Sequence, residues 1–185
     1  MATTRVATKS RIRRSEVVVF GLVALLAWGV WFFVGATKVP NDQAAAGAQL
    51  ERPLLFYDVW DGTPYVVFEL VGVIHFDHLI LDPVSISWPP APRWQFSGMW
   101  ESLEPSTEPA SAGLGRLDDS LVIFGQVNDA RIVRMDVLTN HGGWQSHPVT
   151  APGYAVQIGS GFRLLWINWL DDAGNVVYSE SYLGE

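Results

Sequence analysis

The chain has 185 residues, which is room for one domain of ordinary size with an appendage or for two small domains. With 49% apolar and 17% charged residues it is not wholly disordered, and the absence of cysteine excludes disulfides, thiolate metal sites and a cysteine nucleophile. The net charge of −7 argues against nucleic acid as a partner, because phosphate contacts need clustered Lys and Arg.

Charge is divided unevenly along the chain. Residues 1–40 carry six basic side chains and one acidic side chain, a net charge of +5. Residues 41–185 carry six Arg against eighteen Asp and Glu, a net charge of −12. Such asymmetry is typical of a basic tail beside a membrane or a polyanion. We therefore predict a basic cytoplasmic tail over residues 1–16.

An uncharged apolar run follows this tail. The twenty residues from Val17 to Ala36 contain no charged side chain, and Trp28 and Trp31 lie toward the end of the run. A helix of that length covers about 30 Å, the hydrocarbon thickness of a bilayer, and Trp is favoured near the headgroups. We predict a transmembrane helix over 17–37. The basic residues before it predict a cytoplasmic N-terminus and an extracytoplasmic C-terminal part in the cell membrane.

A cleaved signal peptide is the alternative reading of the same run. Small residues at Val34-Gly-Ala36 and at Ala46-Gly-Ala48 would suit a signal peptidase. However, the apolar run exceeds the roughly 7–15 residues of a signal core, which favours an uncleaved signal anchor. Exported eukaryotic domains often carry disulfides, so the absence of cysteine favours a bacterial protein.

The rest of the chain divides by composition. Residues 38–53 are expected to be a linker, because they lack apolar periodicity. From residue 54 onward, aromatic and β-branched runs alternate with turn pairs such as Asp61-Gly62. We expect a β subdomain over 54–104, a Pro- and Gly-containing linker over 105–116 and a β-sandwich subdomain over 117–185.

The fold class expected from this pattern is an all-β ectodomain with one N-terminal transmembrane α-helix. Closely spaced short strands without helical periodicity are typical of an antiparallel sandwich or barrel. An immunoglobulin-like sandwich is one option. Whether the segments before and after the second linker form one sandwich or two stays open.

Three stretches carry a resemblance to a known group of proteins: residues 120–137, 162–167 and 173–178. They resemble uncharacterised single-pass membrane-anchored β-sandwich proteins of Gram-positive bacteria. Those proteins share an N-terminal anchor, a strand pair with Trp and Tyr, a G-x-V-x-D-x-x-I segment and a terminal D-x-x-G-x-V hairpin. The resemblance covers the last third of the chain and the anchor layout. It implies a small β-sandwich ectodomain and assigns no catalytic residue.

The densest group of possible metal ligands is His75-Phe-Asp-His78. On a strand, His75 and Asp77 share a face and His78 points away. A zinc site would need a third or fourth ligand, such as His141 or His147 from a distant turn. Because the spacing supplies two ligands at most, we predict no metal site and no cofactor.

No other motif indicates catalysis. The pairs Asp118-Asp119 and Asp171-Asp172 lie beside turns, where Asp commonly bonds the backbone. The segment 171–175 lacks the ligand spacing of a calcium loop. The sequence around Ser160 departs from G-x-S-x-G because Ile158 occupies the first glycine position, and no phosphate-binding glycine loop is present. We predict that the protein is not an enzyme.

Tryptophan is the unusual feature of the part that follows the apolar run. Trp166 and Trp169 lie in a run that is apolar on both strand faces, and we predict that they belong to the core. Trp88, Trp94 and Trp100 lie in or near a Pro-rich stretch, and we predict them as ligand or partner contacts. An exposed Trp offers a rigid surface for sugar rings or for another protein.

The sequence therefore predicts a non-catalytic, membrane-anchored interaction or accessory protein that docks on another envelope protein. One alternative is a module that binds cell-wall glycan through exposed Trp. A weaker alternative is a metal-dependent hydrolase built around His75. The expected partners are the membrane and either an envelope protein or a wall glycan, and not nucleic acid.

Overall fold

The computed structural model describes residues 14–82, 93–98 and 101–183, except for the side chains of residues 14–16, 32, 33, 35, 36 and 82. The helices in these ranges are α1 (Arg14–Thr37) and α2 (Gln43–Gln49). The strands are β1 (Leu54–Trp60), β2 (Thr63–Leu70), β3 (Val73–Asp82), β4 (Arg93–Phe96), β5 (Glu101–Leu103), β6 (Ala110–Leu117), β7 (Ser120–Val127), β8 (Arg134–Thr139), β9 (Gly143–Pro148), β10 (Gly153–Ser160), β11 (Leu164–Leu170) and β12 (Val176–Ser181).

Helix α1 covers the apolar run and has 24 residues. Its described side chains from Val17 to Val34 are exposed. Among the residues that the structure describes, no helix reaches the length and apolar character needed to cross a membrane. The predicted transmembrane helix over 17–37 is therefore not supported by this finding.

The expected linker over 38–53 contains helix α2. Asp42 caps this helix, and its carboxylate accepts a 2.8 Å hydrogen bond from the Ala45 N–H. Ala46 is buried against Leu54 and Phe68 of the sheet formed by β1 to β5. The sequence does not predict α2, because its alanine-rich stretch has no apolar period. The cap and the contact with the sheet stabilise the helix instead.

The first sheet has the order β1-β2-β3-β4, with β5 on the remaining part of β3, and all its pairs are antiparallel. The β1–β2 turn is Asp61-Gly62 and the β2–β3 turn is Val71-Gly72. All four residues have positive φ, between 50° and 82°. That is the pattern of a type I′ turn, which matches the right-handed twist of a hairpin.

Two further antiparallel sheets complete the fold, in the orders β10-β7-β6 and β12-β11-β8-β9. Val122 and Phe124 of β7 pack into a cluster with Tyr65 and Phe76 of the first sheet. The intervening residue, Ile123, packs into a cluster with residues of β8 and β11. Since successive side chains of a strand point to opposite faces, β7 is covered on both faces. The sheet of β6, β7 and β10 is therefore the middle layer of three.

The all-β, antiparallel expectation is confirmed, but the layering differs from an immunoglobulin-like sandwich. Such a sandwich has two sheets, whereas the described residues form three that stack on one another. Residues of 54–104 and of 117–185 share the buried cluster between the first and middle sheets. The two expected β segments thus have a common core.

The expected linker over 105–116 is a strand in its second half. Strand β6 pairs with β7 along its full length, from Ala110 opposite Val127 to Leu117 opposite Ser120. A Cβ added to Gly113 would lie 2.6 Å from the Phe124 ring. The glycines that suggested a loop therefore make room for an aromatic ring packed directly on the backbone.

Candidate functional site

The structure describes one of the three tryptophans predicted as contacts. Trp88 and Trp100 lie outside the described residues. Trp94 lies on β4, where its Nε1–H donates a 2.9 Å hydrogen bond to the carbonyl oxygen of Lys38. Its ring packs against the cluster of α2 and the first sheet. Trp94 is thus engaged with its own chain.

Two other hydrogen bonds support the same connection. The Tyr57 hydroxyl donates to the Pro40 carbonyl oxygen at 2.6 Å, and the Gln43 side-chain amide donates to the Leu54 carbonyl oxygen at 2.5 Å. We call the contacts of Trp94, Tyr57 and Gln43 the helix clasp. The clasp fastens the segment that follows α1 to the first sheet, where the sequence predicts a linker over 38–53.

The group His75, Asp77 and His78 is engaged within the first sheet. Asp77 is fully buried, and its carboxylate accepts hydrogen bonds from the Ser97 hydroxyl and from the His78 N–H at 2.7 Å. His75 stacks on Phe68 with ring centroids 5.3 Å apart. Among the described residues, no three His, Cys, Asp or Glu side chains converge to hold a metal ion. The hydrolase alternative gains no support from this group.

The paired carboxylates lie in turns, as the sequence analysis predicts. The Asp171 carboxylate accepts hydrogen bonds from the Asn175 N–H at 2.7 Å and from its side-chain amide at 3.0 Å. These hydrogen bonds lower the pKa of Asp171. Asp118 has a positive φ of 51° in the β6–β7 turn. The Asp171 carboxylate thus bonds the backbone of its turn, and Asp118 takes the left-handed position of the other turn.

The other described tryptophans differ in burial. Trp169 is fully buried, which confirms the prediction that it belongs to the core. Trp166 is half-buried, and its Nε1–H donates to the Asn168 side-chain oxygen at 2.9 Å. Trp144 is 53% exposed on β9. Trp60 stacks on Tyr65 with ring centroids 4.7 Å apart.

The stack of sheets leaves a cleft at each edge of the middle layer. The middle sheet has three strands, and its neighbours have five and four. One cleft, of about 560 Å³, has β6 as its floor. Its lining includes Glu101, Arg116, Phe162, Arg163 and Tyr182. Charged side chains of both signs thus surround this cleft, which we call the β6 cleft.

The opposite cleft, which we call the β10 cleft, has a volume of about 440 Å³. Its floor is the edge strand β10, one wall is β1 of the first sheet, and the other wall is the end of β9 with the residues after it. Nine residues line it: Phe56, Asp58, Trp60, His147, Pro148, Thr150, Ala155, Val156 and Gln157.

Asp58 and Trp60 are held in a fixed relation on the β1 wall. One carboxylate oxygen of Asp58 accepts from the Val59 N–H at 2.8 Å, and the other accepts from the Trp60 Nε1–H at 3.0 Å. Trp60 is further held by its stacking on Tyr65. A carboxylate and an indole are therefore positioned together before any ligand arrives.

His147 supplies an uncharged imidazole to the opposite wall. Burial lowers the pKa of His147 more than the nearby Asp136 carboxylate raises it. The Nε2 atom is buried without a hydrogen-bond partner in the part of the chain that the structure describes. At neutral pH the imidazole is therefore neutral, and Asp58 supplies the formal charge among the nine lining residues.

Sequence reasoning missed the β10 cleft. Its residues come from β1, β9 and β10, which are distant in the chain and carry no shared motif. The one run predicted as apolar on both faces, around Trp166 and Trp169, is β11, which does not line this cleft. Comparison of the chain with protein-family models, with curated proteins and with solved structures gives no match.

Proposed function

We propose that this chain is a non-catalytic accessory protein of a cell envelope. In this proposal α1 anchors the chain in the membrane, and the three-layer β body docks on a partner protein on the extracytoplasmic side. The observation that carries the proposal is the exposure of apolar side chains around α1. The four successive residues Val17, Val18, Val19 and Phe20 are between 60% and 75% exposed.

Four successive helical residues cover every side of a helix, because each is rotated about 100° from the last. A helix in water normally keeps a polar face. Helix α1 lacks such a face over its apolar run, so it needs an apolar environment on all sides. A bilayer supplies that environment, and a groove on one partner covers only part of the circumference.

Charge and the helix clasp support the orientation. Five basic residues precede the apolar run, and the β body that follows is strongly acidic. Basic residues are retained on the cytoplasmic side of a span. Lys38, the first residue after α1, is bonded to Trp94 of the first sheet. The clasp thus holds the β body close to the end of the anchor.

The anchor is tested by fractionating cells that express the full chain with a C-terminal tag. We expect the wild-type chain to stay in the membrane pellet after alkaline carbonate extraction, with the tag accessible to protease from outside the cell. The double variant Leu22→Arg, Leu26→Arg introduces two charges into the apolar run and is expected to leave the pellet.

The matched control is Val71→Arg, because Val71 is 94% exposed in a turn of the β body. This variant introduces the same type of charge outside the proposed anchor and should remain in the pellet. Release of the wild-type chain by carbonate would contradict the anchor, and so would retention of the double variant.

A further inference from the structure

We propose that the β10 cleft binds an extended segment of a partner protein, which adds to β10 as a fourth strand of the middle sheet. The inference deepens the proposed function, since it rests on that function for the partner and names the surface that receives it.

The pairing of β10 with β7 determines which backbone groups are free. The Val127 N–H donates a 2.9 Å hydrogen bond to the Pro152 carbonyl oxygen, so this pair is of the hydrogen-bonded kind. In antiparallel strands the hydrogen-bonded pairs recur at every second residue. The next hydrogen-bonded pairs in the register are then Tyr154 with Gly125 and Val156 with Ile123.

The residues between these pairs direct their backbone groups away from β7. Ala155 and Gln157 therefore direct their N–H and C=O groups to the outer edge of β10, where Gln157 is exposed and Ala155 is 6% exposed at the base of the cleft. No other strand in the described part of the chain pairs with this edge. An extended backbone is the ligand that satisfies such a row of donors and acceptors.

The walls favour one extended chain over the edge of a second folded sheet. At Gly153, a Cβ would lie 2.6 Å from the Leu55 Cβ, so β1 directly overlies the start of β10. Beyond it, Phe56 and Trp60 from β1 face Pro148 from β9 across the cleft. Two walls leave room for a single strand, whereas a second copy of this body would bring its own covering layers into collision with them.

The lining predicts the chemistry of the incoming segment. Alternate side chains of an added strand would point to the β1 wall and to the β9 wall. Phe56, Trp60 and Pro148 suit apolar side chains, and the Asp58 carboxylate suits a Lys or Arg. The neutral His147 does not repel that cation. The partner segment is therefore an extended run with apolar side chains on both faces and one basic side chain on the face toward β1.

Gln157 offers a matched pair of variants. Its N–H faces the free edge rather than β7, so Gln157→Pro removes one donor of the proposed site and leaves the β7 ladder intact. Gln157→Ala keeps the N–H and removes only the exposed side-chain amide. A backbone ligand distinguishes the two variants, whereas a ligand held by side chains does not.

The probe is a displayed library of random ten-residue peptides, selected on the full-length chain in mild detergent with the Gln157→Pro chain as counter-selection. We expect enriched peptides with a short run of β-branched or aromatic residues and one Lys or Arg. They should bind the wild-type chain about tenfold more tightly than the Gln157→Pro chain, because one hydrogen bond contributes about that much to affinity. Their affinity for the Gln157→Ala chain should lie within about twofold of the wild-type value.

A second measurement does not depend on the folding of a variant. N-methylation at each backbone position of an enriched peptide should weaken binding at every second position, since alternate N–H groups face β10. The inference is overturned by equal binding to Gln157→Pro, by a failure to enrich any peptide or by an N-methylation profile without a period of two.

A wall glycan would give a different pattern, in which Gln157→Ala and Trp60→Ala weaken the binding of soluble wall oligosaccharides and no peptide is enriched. That result also overturns the inference. Because the selection is made in detergent, it does not depend on membrane insertion. If carbonate releases the wild-type chain from the membrane but the chain still binds peptide, only the proposed anchor is overturned. If the chain stays in the membrane pellet but binds no peptide, only the proposed peptide site is overturned.

Discussion

The indole N–H of Trp94 donates a 2.9 Å hydrogen bond to the carbonyl oxygen of Lys38, 56 residues earlier in the chain. This contact joins an edge strand of the first sheet to the residue that follows α1. With the Tyr57–Pro40 hydrogen bond, it makes the segment between helix and sheet part of the folded body. Tyr57 has a raised pKa, because burial and the nearby Asp58 disfavour its phenolate, so it remains a donor at neutral pH.

Replacing Trp94 by Phe tests the clasp. The variant keeps an aromatic ring but loses the donor to Lys38, so we expect the free energy of unfolding to fall by roughly 0.5–1.5 kcal/mol. Hydrogen exchange should speed up at the Leu50 and Arg52 amides, which bond to Ala46 and Gly47 of α2. Amides of the sheet formed by β8, β9, β11 and β12 should exchange at the wild-type rate.

Trp144→Phe is the matched control, because Trp144 is more than half exposed and far along the chain from the clasp. It should leave exchange around α2 unchanged. If Trp94→Phe also left that exchange unchanged, the hydrogen bond to Lys38 would have no role in holding the segment.

The β2–β3 turn contains a destabilising residue. Val71 has φ of 54° and is 94% exposed, so it has a left-handed conformation that disfavours β-branched residues and gains little from packing. Val71→Asn should raise the free energy of unfolding by about 1 kcal/mol, because Asn is preferred at this position of a type I′ turn. Urea unfolding monitored by tryptophan fluorescence measures the change.

Val59→Asn is the comparison variant, since Val59 is also exposed but lies within β1. There the same substitution replaces a good strand residue by a poor one and should lower stability. Equal effects of the two substitutions would show that turn conformation does not determine the result.

The middle sheet should be sensitive to substitution on both faces. Val122→Ala removes volume from the cluster that the middle sheet shares with the first sheet. Ile123→Val removes volume from the cluster that it shares with the sheet of β8, β9, β11 and β12. We expect losses of about 2 and about 1 kcal/mol, because both side chains are fully buried.

Leu114→Ala on the neighbouring strand β6 is the control, since Leu114 is 40% exposed. It should change stability by less than either core variant. If one of the two adjacent β7 substitutions were neutral, one face of the middle sheet would be open to water and the three-layer arrangement would be wrong.

Asp129 should titrate at unusually low pH. Its carboxylate accepts a 2.6 Å hydrogen bond from the Arg131 guanidinium and a 3.0 Å bond from the Arg131 N–H, which lower its pKa from the usual 3.8 to about 2. Since the folded pKa is depressed, the stabilisation is complete above pH 4 and is lost as the pH falls toward 2. Carbon-13 NMR of the carboxyl group measures the midpoint.

Arg131→Ala should return the midpoint of Asp129 toward 3.8. The lowered pKa of Asp171 should persist in this variant, because its main cause is the hydrogen bonds from Asn175. A midpoint of Asp129 that stayed near 2 without Arg131 would assign the shift to another group.

Local patterns in the sequence predicted the elements that depend on neighbouring residues. Aromatic and β-branched runs predicted antiparallel strands, and Asp61-Gly62 predicted a hairpin, because both signals depend on backbone preferences over a few positions. The fully buried Trp169 followed from a strand that was apolar on both faces. The turn role of Asp171 followed from its place in the Gly-containing turn segment 171–175.

Long-range packing determined the features that these patterns missed. The alanines of α2 form a helix because Asp42 caps it and the first sheet covers it, and the glycines of β6 form a strand because Phe124 packs on their backbone. Neither partner lies close by in the sequence. The same reason explains why the sequence did not predict the hydrogen bond of Trp94 to Lys38.

The sequence by itself determined the all-β class, the acidic charge of the β body and the apolar character of the run in α1, since these follow from composition and local alternation. The tertiary structure decided the stacking of three sheets, the clasp at Trp94 and the cleft that brings Asp58, His147 and Gln157 together. Those arrangements come from contacts between strands distant in the chain, whose pairing and layering no local preference specifies.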